Sequence, residues 1–464
     1  MNTELWRNIT EFNLDLPLSE FGFSTRLETE NLWTVNFASD AIIEYKKFMY
    51  LAATTEFMVS PSEIVDIVWH QHLIFTQSYD AFCLILGKKI AHIPSTHNKA
   101  DYQQFMRAKE NTGRLYAEYF GVQPSHIWDY RSMYAPLSLE KSSFTASRII
   151  TIGMALFIPF LVAAYFLLRP LYENIDNPYF LFGYMMIVVL SVILLEIFNR
   201  SKFKSITSKW HRASFVFHLT ALELLYLKKN ELSAVIHGVV NQLVSVNKIG
   251  IAHDGTLRTN TNSGIQSARY FSVLETISQT QNIRYPELLA KLKLKPVFAK
   301  TELAMEAFKK YFSRSKEFIG LFAVNFSTLL LLFLIGVTRL WTGIAREKPV
   351  AIITIVLVVH FIFMCKYLYR LKIYMGSEVI TKYFSEQVLD DRLPENNWEW
   401  NYYLLGSAVF VSAFVPLALH GRNNGGDSSG GDSSGGGDAS DGGEASGGSG
   451  CGSSCGSCGG CGGD

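Results

Sequence analysis

Cysteine is nearly absent from the first 450 residues of this 464-residue chain, where only Cys83 and Cys365 occur. Two isolated thiols build no disulfide framework, which suits folded parts in a reducing cytosol. Charge imbalance is absent too. The net charge is +1, so nothing globally basic invites nucleic acid. The opening run MNTELWRNITEFNLDL carries acids and no apolar core of signal-peptide type, so no cleaved export signal is expected. No Ser-His-Asp arrangement, phosphate loop or dinucleotide fingerprint is found. Together these absences point away from the common motif-bearing enzymes.

Long apolar runs are what the chain does have. Five stretches approach the ~20 residues that cross a bilayer core: Ile149–Leu168, Tyr179–Phe198, Phe318–Val337, Val350–Lys366 and Tyr402–Leu419. The first two form an expected helical hairpin. Residues 199–317 hold 19 Lys/Arg against 8 Asp/Glu, and Arg200, Lys202, Lys204 and Lys209 follow the second stretch directly. This bias places the region in the cytosol. Five spans then put residues 1–148 inside and the C-terminus outside. One loop disagrees: between the third and fourth stretches, Arg339, Arg346 and Lys348 would be external.

Residues 1–148 are expected to form a cytosolic helical domain. Asp40–Ala53 has apolar residues at helical spacing. Ser60-Pro61-Ser62-Glu63 reads as the start of a helix that stops at Gly87, and a further helix runs from Lys99 to Phe120. Asp66 and His70 are four apart and share a helix face. His70 and His72 diverge by about 200°, so they cannot both face one ion. With His92 in the following loop, Asp66, His70 and His92 have the ligand types of a zinc or iron site. A hydrogen-bonded pair that fastens the loop, or an acid–base role, explains the same residues.

The segment VSPSEIVDIVWHQHLIFTQSYDAFCLILGKKIAHIPSTH resembles the glycine-rich domain-containing protein family, at Asp66, Trp69, His70, His72, Tyr79, Cys83, Gly87, His92 and Pro94. The likeness runs on to Trp128. It implies no activity, since that family has no assigned biochemical role.

Residues 199–317 are expected to be a second cytosolic domain. Two apolar helices around Lys228-Lys229-Asn230, followed by a hairpin at Asp254-Gly255, give a winged-helix outline. The second helix offers His237, Asn241 and Gln242 but no Lys or Arg, so DNA readout is not expected. The segments Leu219–Leu227, Glu231–Ile251 and Gly336–Val350 resemble a bacterial membrane-protein family of unassigned function, whose members frequently end in Gly/Cys-rich tails.

This chain has such a tail. Residues 423–464 hold 18 of the 34 glycines, ten serines, six acids and no Lys or Arg. With no apolar surface to offset ordering, the segment is expected to be disordered. Its four thiols, Cys451, Cys455, Cys458 and Cys461, allow a zinc or iron–sulfur centre, disulfides, enzymatic modification or a plain linker.

The sequence thus describes a mainly α, polytopic protein of a bacterial cytoplasmic membrane. Its expected parts are 1–148, a hairpin at 149–198, the winged-helix-like domain 199–317, three spans within 318–422 and an external tail at 423–464. The expected function is a membrane interaction or scaffold protein with a partner on the cytosolic face. A metal protein using Asp66, His70 and His92 is the alternative. A transporter is a third reading, on Glu196, Asn325 and His360 in or at the end of spans.

Overall fold

The computed structural model describes residues 1–93, 99–260, 264, 267–280, 282–391 and 397–423. Pro94, His97 and the four tail cysteines lie outside these residues.

The described chain is mainly helical. Its first part holds helices at Thr3–Glu11, Phe23–Asn31, Val35–Thr54, Glu63–Ile74, Thr76–Leu86 and Lys99–Phe120. Ser62 caps the Glu63 helix, its Oγ accepting from Val65 N at 3.2 Å, which satisfies one otherwise orphaned donor. Pro61 precedes that cap rather than standing in the first turn. The helix expected to continue to Gly87 is broken at Phe75, whose ψ of 63° is not helical. Gly87 then ends the second piece with φ +75°, a conformation that suits glycine.

Four helices are long and apolar enough to cross a membrane. They are Ala146–Glu173, Asn177–Thr207, Lys316–Ala345 and the helix starting at Ala351. The last runs as α-helix to Tyr374, then through a π-helical stretch at Met375–Ile380. Each meets the length that ~30 Å of hydrocarbon demands. Polar pairs join them inside. Asn199 and Asn325 exchange two amide hydrogen bonds at 3.0 and 2.7 Å, and Asn199 also reaches the Tyr367 hydroxyl. Tyr184 Oη lies 2.8 Å from His360 Nδ1, whereas Glu196 pairs with Arg200 one turn along its own helix at 3.2 Å. Polar residues on spans commonly serve as such interhelical ties.

Tyr402–Leu419 is not a fifth such helix. It divides into Trp398–Leu405, a 3-10 turn at Gly406–Val409 and Val415–Asn423. Gly406 sits at φ +62° and breaks the helical path. The segment instead covers the middle of the chain. Tyr402 Oη donates to the Ala234 carbonyl at 2.9 Å, and Val411 N donates to Asn241 Oδ1 at 2.9 Å.

The basic loop between the third and fourth spans also differs from expectation. Arg339 is buried within the third helix rather than placed in a loop. Its guanidinium donates to the carbonyls of Tyr172 and Ile175 and lies over the Tyr172 and Phe180 rings. It thereby satisfies carbonyls at the turn between the first two spans, groups a helix end leaves unpaired.

The two expected helical domains share one core. A single cluster of buried apolar residues runs from Ile9 to Ala418. Val35 N donates to Glu223 Oε1 at 2.9 Å, and Lys300 pairs with Glu28 at 3.0 Å. Both ties join the first part to residues beyond the second span. The expected hairpin is present: Ile249–Ile251 pairs antiparallel with Leu257–Thr259, Gly250 opposite Arg258. Gly255 turns it at φ +78°.

Candidate metal centre

Asp66 and His70 stand one turn apart on the Glu63–Ile74 helix, so both project from the same face. His92 comes from the loop after Gly87. Three contacts bring it there. The Trp69 ring meets the His92 ring edge-on at 4.6 Å between centroids. Trp69 Nε1 donates to Tyr79 Oη at 3.2 Å, and Tyr79 Oη donates to the Ile90 carbonyl at 2.5 Å. The loop backbone is therefore tied to the helix pair two residues before the histidine.

The result is a convergent set. His92 Nε2 lies 2.9 Å from Asp66 Oδ1, and His70 Nδ1 lies 3.4 Å from Asp66 Oδ2. The two imidazoles are 4.3 Å apart between centroids. One donor atom from each of Asp66, His70 and His92 lies within 4.8 Å of the others. Two ligands ~2.1 Å from one ion are ~3.4 Å apart in a tetrahedron; the Asp66 carboxylate already has that spacing to His70, so binding needs a side-chain movement of at most about 1.4 Å. His70, its side chain 55% exposed, is free to make that movement, whereas His92 is 17% exposed and held. Two imidazoles and a carboxylate suit zinc or ferrous iron and leave a coordination position open.

His72 belongs to the core instead. Its Nδ1 lies 2.7 Å from the Tyr45 hydroxyl and its Nε2 3.1 Å from Ser78 Oγ. Burial lowers its pKa to about 4, so the ring is neutral at pH 7 and cannot charge without cost. The two histidines of Trp-His-x-His thus face opposite ways, as their spacing requires. The parts not legible in the sequence are the positioners, Trp69 and Tyr79. Both occur in the quoted pattern, but only the fold shows that they carry the His92 loop. A second polar hub was also missed. The buried Glu44 carboxylate accepts from Tyr116 Oη at 2.8 Å and Trp128 Nε1 at 2.7 Å, and pairs with Lys47 at 2.7 Å. Its partners lie up to 84 residues away, beyond the reach of local pattern.

A family model described as UCP032817-like matches residues 31–110. That stretch contains Asp66, His70 and His92. No curated protein and no solved structure matches the chain.

Proposed function

We propose that this chain is a metal-binding membrane protein, in which Asp66, His70 and His92 hold one divalent transition-metal cation, zinc or ferrous iron. The convergence of three donor atoms within 4.8 Å carries this reading. The open position would accept water or a small ligand, so the centre is built for exchange or chemistry rather than for a closed structural role.

The four long helices support a four-span anchor in a bacterial cytoplasmic membrane. An even number of crossings returns the chain to its starting face. The basic residues Arg200, Lys202, Lys204 and Lys209 favour the cytosol for that face. The tail then shares the face with residues 1–145. In a reducing cytosol, Cys451, Cys455, Cys458 and Cys461 stay thiols, and metal capture gains over disulfides. The helix–turn–helix–hairpin outline of residues 221–259 is winged-helix-like. We read it as a structural module, because the Leu232–Ser245 helix that would enter a groove is largely buried, in part beneath Tyr402.

The test is metal content of the full chain, purified without a histidine tag and with all four tail cysteines changed to serine. The expected result is about one zinc or iron per chain, lost in His92→Gln and in Asp66→Asn. Equal metal in wild type and His92→Gln, or none in either, would overturn the centre. A second reading, a scaffold that binds a cytosolic protein, is favoured by Phe57 and Leu84, apolar side chains left 62% and 83% exposed.

A further inference from the structure

An open cavity of about 330 Å³ lies where the helical body meets the membrane anchor. Two strands of chain define its position. Residues 140–142 lead into the Ala146–Glu173 span, and residues 314–316 lead into the Lys316–Ala345 span. They are zipped together: Ser142 N donates to the Arg314 carbonyl and Lys316 N to the Glu140 carbonyl, each at 2.8 Å. Only three residues separate Arg314 from Phe318, where the apolar run of the third span begins. The cavity therefore opens at headgroup depth.

Its walls are of two kinds. Lys141, Lys310 and Arg314 supply three cations, and no acidic residue lines the cavity. None of the three has an ion-pair partner among the described residues; the nearby Glu140 is taken by Lys316. Leu32, Leu139 and Ala307 supply apolar surface, and Tyr134 stacks on Tyr311 at 4.6 Å. The Tyr134 hydroxyl is buried with no hydrogen-bond partner. Three uncompensated cations beside apolar and aromatic walls complement a molecule with a phosphate at one end and hydrocarbon at the other.

We propose that this cavity binds the phosphate headgroup of an anionic phospholipid from the adjoining leaflet, clamping the body against the membrane. Generic attraction of a basic surface to anionic lipid is a different thing, since it needs no cavity and every nearby cation shares in it. Lys202, Lys204 and Lys209, near the end of the second span, supply the comparison.

The experiment uses the full chain in nanodiscs of phosphatidylcholine with or without phosphatidylglycerol. Retained lipid is counted by native mass spectrometry, and affinity is read from a labelled phosphatidylglycerol. Wild type should retain phosphatidylglycerol selectively. Lys141→Gln, Lys310→Gln and Arg314→Gln should each weaken binding roughly fivefold. The triple change Lys202→Gln, Lys204→Gln, Lys209→Gln should leave retention intact. Ala307→Trp, which fills the cavity and keeps every charge, should abolish retention, and it serves if the charge variants fail to fold. Equal loss from the cavity changes and the Lys202, Lys204, Lys209 changes, or full binding in Ala307→Trp, would overturn the proposal. So would inorganic phosphate that competes as well as the lipid does, because the ligand would then be a free anion.

Discussion

The Tyr402 ring lies against Gly238 so closely that a β-carbon there would fall 2.5 Å from two ring carbons. Below 3 Å something must move, and here the obstacle is a buried ring whose hydroxyl is tied to the Ala234 carbonyl at 2.9 Å. This contact holds an apolar segment on the helical body that would otherwise read as a membrane span. Gly238→Ala should therefore destabilise the protein by about 1–3 kcal/mol, the usual cost of overpacking. Protease sensitivity around residues 398–410 should rise with it. Unchanged proteolysis of this variant would mean that the segment is not seated there.

The proposed four-span topology makes a prediction for the sidedness of the tail. With four crossings, a membrane-impermeant maleimide should label Cys451, Cys455, Cys458 and Cys461 only after intact cells are permeabilised. Labelling in intact cells would restore a fifth crossing.

His72 predicts a pH dependence. Its pKa falls from 6.5 unfolded to about 4 folded, so between these values the unfolded chain binds more protons. Stability should be full above pH ~6.5 and decline as pH falls toward 4, by about 3 kcal/mol in total. Chemical denaturation across this range should show the slope, and His72→Gln should flatten it at the expense of overall stability. A slope that survives the substitution would assign it to other groups.

Glu28 and Lys300 form a buried pair between the Phe23–Asn31 and Pro296–Ser313 helices. Burial raises the Glu28 pKa and lowers that of Lys300, and each partner opposes the shift of the other. Lys300→Met alone should cost about 3–5 kcal/mol, since it strands a carboxylate. The double change Glu28→Leu, Lys300→Met should recover most of that loss. A double-mutant cycle in denaturant measures the difference, and additive losses would show that the pair is not coupled.

Local pattern was a good guide wherever a residue's role depends on near neighbours. The Lys99–Phe120 helix has the bounds its spacing suggests, and four long apolar runs are helices of spanning length. The Asp254-Gly255 hairpin forms, and the divergence of His70 from His72 follows from helical geometry alone. The break at Phe75 was not legible, because Glu63–Leu86 reads as continuous helix and the kink instead lets Tyr79 reach back to Trp69 and Ile90.

The sequence by itself determined that this chain is helical, rich in spanning segments and provided with histidines and a carboxylate of metal-ligand type. Hydropathy and helical period are properties of neighbouring residues, so no tertiary information was needed. Only the tertiary structure decided that Tyr402–Leu419 packs on the body, because an apolar segment can be buried by lipid or by protein with equal gain. Tyr402, Asn241 and Gly238 supply the specific fit that chooses protein. Only the fold, too, carried His92 to Asp66 across 26 residues, through the aromatic ties of Trp69 and Tyr79.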